Sequence, residues 1–279
     1  MSMNISRNTI VQGDCISIMR GLPGNSVDLV IADPPYNLSK GSSWKWGNSV
    51  SLPGMGGNWN KVMENWDDLD LTDYFKFTIL WLAEAKRITK PTGSIWIFGT
   101  YHNIGVVNLA CQILDVEIIN EVIWFKRNAF PNLSGRRLTA SHETLLWAHT
   151  HDGKKRQYYF NYDESKSGDY SYDLLKTLGK QMRTVWDIPN NKERRELQFG
   201  KHPTQKPLRI LKRMIRLSSQ PGDLVFTPFA GSGSECLAAV ELGRDYFGIE
   251  LEAEYIDLAR QRLSSPQIEL DLSQFEGNK

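Results

Sequence analysis

The chain has 279 residues, 41% of them hydrophobic, and a formal net charge of +1, which allows one large α/β domain or two small ones and gives no single-sign field over the whole molecule. No run of eighteen apolar residues occurs and residues 1–9 are polar, so neither a membrane span nor a secretory leader is expected, and the cytoplasm is the expected location. Cys15, Cys111 and Cys236 are too few and too scattered for a disulfide framework or a zinc site; none of the five His suggests a ligand set, no metal is required, and His149 and His151 are expected at the surface.

The first clear element is the apolar, β-branched run Val27 to Ala32, which predicts a strand buried on both faces. Asp33-Pro34-Pro35-Tyr36 follows directly. In an open α/β sheet, ligands bind outside the carboxyl ends of the strands, so these four residues are placed for chemistry. An exocyclic amine of adenine or cytosine is a poor nucleophile because its lone pair is conjugated into the ring. The Asp33 carboxylate and the Pro34 carbonyl can accept its two hydrogens and localise that lone pair, and Tyr36 can stack on the base. A plain proline turn after a strand explains the same tetrapeptide equally well.

Residues 37–71 are rich in Gly, Ser and Trp, with Trp44, Trp46, Trp59 and Trp66. A loop of that length beside the tetrapeptide is a candidate mobile lid, its tryptophans stacking on bases or packing on the sheet. Beyond it, periodicity predicts a helix over 72–89, a strand over 94–99, a helix over 102–114, and strands near 117–126 and 142–149. After a polar stretch over 150–200 come a helix at 206–219, a strand-turn-helix over 223–242, a strand at 245–250 and a helix at 253–263. The alternation implies a doubly wound, mostly parallel, Rossmann-like sheet.

In the strand-turn-helix, Phe229-Ala230-Gly231-Ser232-Gly233-Ser234 turns the chain at a strand end, and Glu250 closes the next strand about twenty residues on, where an acid can bind a ribose diol. The dinucleotide fingerprint fails, because Cys236 occupies the place of its third glycine.

With these two motifs, Gly13-Asp14-Cys15, the strand Thr92 to Ile97 and Lys201-His202-Pro203-Thr204-Gln205-Lys206-Pro207, the chain resembles the permuted β class of N6-adenine DNA methyltransferases over most of its length. The resemblance implies a circularly permuted methyltransferase sheet, with a catalytic half over 1–129, a target-recognition segment over 130–200 and a cofactor half over 201–279. It also implies S-adenosylmethionine as methyl donor. Catalysis then falls to Asp33, Pro34, Pro35 and Tyr36. The cofactor falls to Asp14, Cys15, Asp33, Phe229 to Ser234 and Glu250, with Thr204 and Lys206 at its carboxylate.

In that family the glycine motif usually opens with Asp, and this chain has Thr227 there, so a partner for the cofactor's ammonium is missing and Thr227→Asp is expected to tighten binding. Pro131-Asn132-Leu133-Ser134, the run Ser141 to Ala148 and Gly179-Lys180-Gln181-Met182-Arg183 resemble the second methylases of DpnII-type restriction systems. That likeness implies a GATC target, tolerance of single-stranded DNA and a restriction endonuclease acting at the same site; the family also often forms homodimers. The alternatives are an N4-cytosine DNA methyltransferase and a DNA-binding protein that has lost catalysis.

DNA as partner is supported by charge distribution. Residues 180–216 hold eleven Lys or Arg against three acids, whereas 223–279 hold eleven acids against four bases, enough to give one face a positive field. The residues expected to meet DNA are Arg127, Asn132, Arg136, Arg137, Lys180 and Arg183, with Lys154, Lys155, Arg156 and the tyrosines of 158–172 in the same segment. The alternative is that residues 208–217 form an amphipathic helix with a solvated basic face.

Overall fold

The computed structural model describes residues 5–36, 69–129, 131, 136–150, 156–167, 173, 179–190, 192–200 and 204–264. Along the chain lie β1 (Thr9–Gln12), α1 (Cys15–Gly21), β2 (Val27–Ala32), α2 (Leu71–Ile88), β3 (Thr89–Gly99), α3 (Ile104–Ile113), β4 (Val116–Phe125) and β5 (His142–Thr150). They are followed by α4 (Glu164–Ser167), β6 (Val185–Asp187), α5 (Arg194–Leu197), α6 (Leu208–Ser218), β7 (Leu224–Thr227), α7 (Ser234–Glu241), β8 (Asp245–Glu250) and α8 (Ala253–Leu263). The strands form one sheet in the order β1-β8-β7-β2-β3-β5-β4-β6, in which β5 alone runs against its neighbours. The expected mostly parallel α/β sheet is what the chain forms.

Alternation within β2 explains why its sequence reads as an unbroken apolar run. Leu29 and Ile31 enter one core with α6, α7 and α8, while Val30 and Ala32 enter the other with α1, α2 and α3. Both faces are covered, so neither parity is polar. The exception, Asp28, sits where the pairing with β3 shifts register, and its carboxylate takes the Lys90 ammonium and the Leu224 N–H.

From β2 the chain crosses by α2 to β3 on one side, and from β7 it crosses by α7 to β8 on the other, so adjacent β2 and β7 diverge. A crevice opens at their carboxyl ends, the usual ligand site of such sheets. Residues 13–14 and 33–36 meet 228–232 there.

Several expectations are revised. The short β1, α1 and β6 were not foreseen; TIVQ and VWD are too short to show a period. Strand β6 pairs with β4 and buries Trp186, and Tyr158 and Phe160 pack on Trp147 at ring separations of 5.4 Å, so part of the 130–200 segment belongs to the core. His149 is buried rather than exposed: Gly93 O lies 3.1 Å from its Nδ1 and Tyr158 packs on its ring. Of the lid expected over 37–71, residues 37–68, with the four tryptophans, lie outside the described ones, while Asp70 caps α2 and Leu71 opens it. No helix among the described residues is long and apolar enough to cross a membrane.

Candidate active site

Asp33 leaves the end of β2 with both carboxylate oxygens engaged. Oδ1 accepts from the Tyr36 hydroxyl at 2.6 Å and Oδ2 from the Lys206 ammonium at 2.6 Å. The chain on either side of Lys206 is anchored to α5: Glu196 accepts from the Leu208 N–H at the start of α6 and from the Glu193 N–H at the start of α5, while Gln205 donates to the Glu196 carbonyl. The ammonium is 4% exposed and also lies 3.7 Å from Glu143 on β5. Glu143 Oε2 accepts from Tyr36 at 3.1 Å and Oε1 from Lys126, just beyond β4, at 2.9 Å.

Asp33, Tyr36, Lys206, Glu143 and Lys126 form one largely buried polar cluster. Burial pushes the Asp33 carboxyl above the usual range; Lys206 opposes this and Glu143 adds to it. Burial acts against ionised Glu143 too, but Lys206 and Lys126 win and hold it below its ordinary value. Burial also disfavours charged Lys206, yet Asp33 and Glu143 keep it protonated. The Tyr36 hydroxyl titrates well above its ordinary value, first because it is buried and then because two carboxylates face it.

The adjoining cleft is open on one side and has a cavity volume of about 170 Å³. Gly231 sits at its floor with φ of 48°, and its N–H donates to Glu250 Oε2 at 2.7 Å. Glu252 N–H holds Oε1 at 2.9 Å, so the acid at the end of β8 is fixed from both sides, with burial raising its pKa. Asp14 lines the far wall and caps α1 through Ser17. Cys15 beside it is buried, and burial pushes its thiol up to about 12, which leaves it a packing residue rather than a nucleophile.

Asp33 to Tyr36 and the glycine turn at Gly231 thus face one cleft. A family model described as "DNA methylase", covering N6 and N4 enzymes, matches residues 27–261. The chain belongs to this N6/N4 DNA methylase family. It is 40% identical over 266 residues to the Type II methyltransferase M.HinfI of Haemophilus influenzae, an alignment covering 94% of this chain and 70% of that protein. It is 38% identical over 265 residues to the Type II methyltransferase M2.DpnII of Streptococcus pneumoniae, covering 94% and 91% respectively. The solved M1.HpyAVI–SAM complex superposes with a TM-score of 0.61 at 25% identity, covering 92% of this chain and 98% of that one. The cytosine-N4-specific PvuII DNA methyltransferase shares the fold, with a TM-score of 0.66 at 18% identity, covering 94% and 88%.

Within this methylase, nearly all residues expected at the site line one cleft: Asp14, Cys15, Asp33 to Tyr36, Thr204, Lys206, Phe229 to Ser232, Ser234 and Glu250. Gly233 does not. Its φ is 72°, and a Cβ there would stand 2.9 Å from Ala259 Cβ, so it is glycine for the turn into α7 and for packing on α8. Lys206, expected at the cofactor's carboxylate, lines the cleft with its ammonium on Asp33. Tyr36 is 7% exposed with Lys206 over its ring, which leaves only the opposite ring face for a base. Thr227 is buried within β7 and does not line the cleft.

Gly13, Phe77, Gln205, Glu235 and Tyr255 line the cleft and were missed. Glu235 is the consequential one. It is 4% exposed, and burial, reinforced by Asp33, raises its carboxyl to about 8. Its place in the first turn of α7, directly after a glycine turn, was its only sequence signal.

The residues expected to meet DNA are dispersed. Arg127, Arg136 and Arg137 lie in the β4–β5 connection, at the same sheet edge as Asp33, because β5 runs antiparallel to both β3 and β4 and β3 runs parallel to β2. Arg127 is half-exposed and paired with Asp187, and Arg137 donates to Tyr101. Lys180 and Arg183 are exposed but precede the amino end of β6, further down the sheet. Asn132, Lys154 and Lys155 lie outside the described residues. Much of the basic charge of 208–217 turns inward: Arg213 pairs with buried Asp173 at 2.9 Å and Lys212 with buried Glu241 at 2.6 Å.

Proposed function

We propose that this chain transfers a methyl group from S-adenosylmethionine to N6 of adenine in DNA, at GATC, on single-stranded as well as duplex substrate, as the modification arm of a restriction system. The observation that carries the reading is the position of Asp33, with Pro34 and Tyr36, at the mouth of the cleft bounded by Gly231 and Glu250. When bound, S-adenosylmethionine supplies a methyl group already activated on a sulfonium, so the protein's task is to align the amine nitrogen with it at about 3 Å.

The cleft suits that cofactor in its donor set. Glu250, fixed by two backbone N–H groups, can accept from a ribose diol; the Gly231 turn lets backbone approach; Asp14 can accept from an adenine amino group; and Glu235 offers a buried carboxyl to a cation. Asp33 and the Pro34 carbonyl hold the two hydrogens of the target amine and direct its lone pair. In a duplex the base must first leave the stack, at about a few kcal/mol. An unstacked strand avoids that cost, which supports single-stranded substrate alongside duplex. GATC and the restriction partner rest on the likeness to M2.DpnII and on the matched segments around Ser141 and Lys180.

The deciding experiment incubates the protein with S-adenosylmethionine and unmethylated single- and double-stranded DNA, with and without GATC, and identifies the nucleosides by mass spectrometry. N6-methyladenine confined to GATC substrates and lost in Asp33→Ala supports the whole reading. N4-methylcytosine overturns the base assignment, and methylation of GATC-free DNA overturns the target.

A further inference from the structure

The side chains around Asp33 contain one carboxylate that the transfer just described does not use. Glu143 lies at the start of β5, opposite Trp124 of β4, and the sheet order β2-β3-β5-β4 brings it to the carboxyl edge beside Asp33. It is nearly buried, with the side chain 12% exposed, yet it is ionised and touches three members of the cluster.

Two features of this geometry bear on the chemistry. First, the Tyr36 hydroxyl has one proton and two acceptors, Asp33 Oδ1 at 2.6 Å and Glu143 Oε2 at 3.1 Å. It can donate to one at a time. When an amine approaches Asp33 Oδ1, the hydroxyl has another carboxylate to turn to, so Asp33 is released without leaving a buried O–H unpaired. Second, methyl transfer from a sulfonium places positive charge on the attacking nitrogen. Lys206 and Lys126 with Asp33 alone would give the site a net positive charge that opposes this step; adding Glu143 makes the four groups neutral.

We infer that Glu143 is a positioning residue of the methyl transfer: it receives the Tyr36 hydroxyl and shares the Lys206 ammonium, so that Asp33 keeps the acceptor strength an exocyclic amine demands. The inference rests on Asp33 being the amine acceptor, as proposed above. The other ionisable groups facing the cluster are Lys192 ahead of α5, which burial and Lys206 lower to about 8, and Glu235 from α7. Asp33 is shifted up in part by Glu143, in keeping with their proximity.

The test is a pH profile of kcat at saturating S-adenosylmethionine for the whole protein, in which the acid limb reports ionisation of Asp33, with two substitutions that change cluster charge in opposite senses. Glu143→Gln removes a negative charge and is expected to lower kcat at least ~30-fold, with KM for S-adenosylmethionine nearly unchanged, and to move the acid limb to lower pH. Lys126→Met removes a cation, at a side chain that does not touch Asp33, and is expected to move the same limb to higher pH.

Thermal unfolding at pH 8 checks that both variants fold. Should Glu143→Gln not fold, the Lys126→Met shift alone decides. Opposite displacements support the inference; limbs that stay in place, or shift together, overturn it and make Glu143 a packing residue. Absence of any methyl transfer by the parent protein would instead overturn the proposed function, which separates the two failures.

Discussion

Glu250 and Gly231 are joined across the crevice by a 2.7 Å hydrogen bond from the glycine N–H to the carboxylate, so the acid proposed for the ribose also anchors the glycine turn. Removing the carboxylate therefore affects the cofactor twice. Glu250→Ala is expected to weaken S-adenosylmethionine at least tenfold, about 1.4 kcal/mol or more, whereas Glu250→Gln, which keeps an acceptor for Gly231, should lose less. Calorimetric titration of the two variants checks the order. Equal losses would mean that the turn does not depend on this bond.

Asp33→Asn tests the amine acceptor without removing shape. The amide can still accept from Tyr36, but it carries no charge for Lys206, which is 4% exposed. The expected result is a fall in kcat of about 100-fold or more with cofactor affinity retained. Asp33→Ala should in addition destabilise the fold, because a buried ammonium loses its nearest partner, leaving Glu143 at 3.7 Å. Turnover of the Asn variant close to parent would exclude Asp33 from the reaction.

How much of this site was legible in the sequence depends on whether a residue's role is local or set by sheet order. Strands β2 and β8 match their expected limits, and Asp33 and Glu250 were found because each is the first acid at the end of an apolar run. Glu143 and Glu235 were missed, and the contact of Lys206 with Asp33 was not foreseen. Their contacts require β5 to lie beside β3 and the start of α6 to reach β2, and no local pattern encodes either. His149 follows the same logic: a polar residue in a strand reads as exposed until a distant segment supplies Gly93 O and Tyr158. The basic helix α6 misled because charge counted along a sequence does not say which residues meet buried acids.

That last point has a direct test. Arg213 pairs with Asp173 and lies over the Trp186 ring at 5.0 Å, so it holds α6 to the segment before β6. Arg213→Met is expected to cost about 3 kcal/mol of stability, since it strands a buried carboxylate, while leaving the salt dependence of DNA binding unchanged. Arg136→Ala with Arg137→Ala, at the exposed β4–β5 connection, should do the reverse and reduce the slope of log K against log salt by up to about two. Denaturant titration and binding at several ionic strengths distinguish them. A flatter slope for the Arg213 variant would return α6 to the DNA surface.

The sequence expectation that Thr227→Asp tightens cofactor binding is replaced by an expectation for Glu235. Thr227 is 1% exposed with its hydroxyl unpartnered, so an Asp there adds a buried carboxylate outside the cleft lining and should destabilise. Glu235 already lines the cleft, with Asp33, Lys206 and Arg262 as its charged neighbours and the Cys236 thiol beside it. Its carboxyl titrates at about 8 against an ordinary 4.5, so near neutral pH the free protein carries it mostly protonated. A cationic ligand group favours the ionised form and must expel that proton.

S-adenosylmethionine binding at pH 7 should therefore release protons, and affinity should rise with pH up to about 8 and level off above it. Titrations in buffers of different ionisation enthalpy measure the release directly. Glu235→Gln should abolish it and weaken binding. The free protein supplies an independent sign: between pH 4.5 and about 8 the folded state holds a proton that the unfolded state has lost, so this group's contribution to stability falls as pH rises. Glu235→Gln should accordingly gain stability relative to parent with rising pH across that window. Proton uptake on binding, or a stability difference that does not vary with pH, would show that Glu235 is already ionised in the empty cleft.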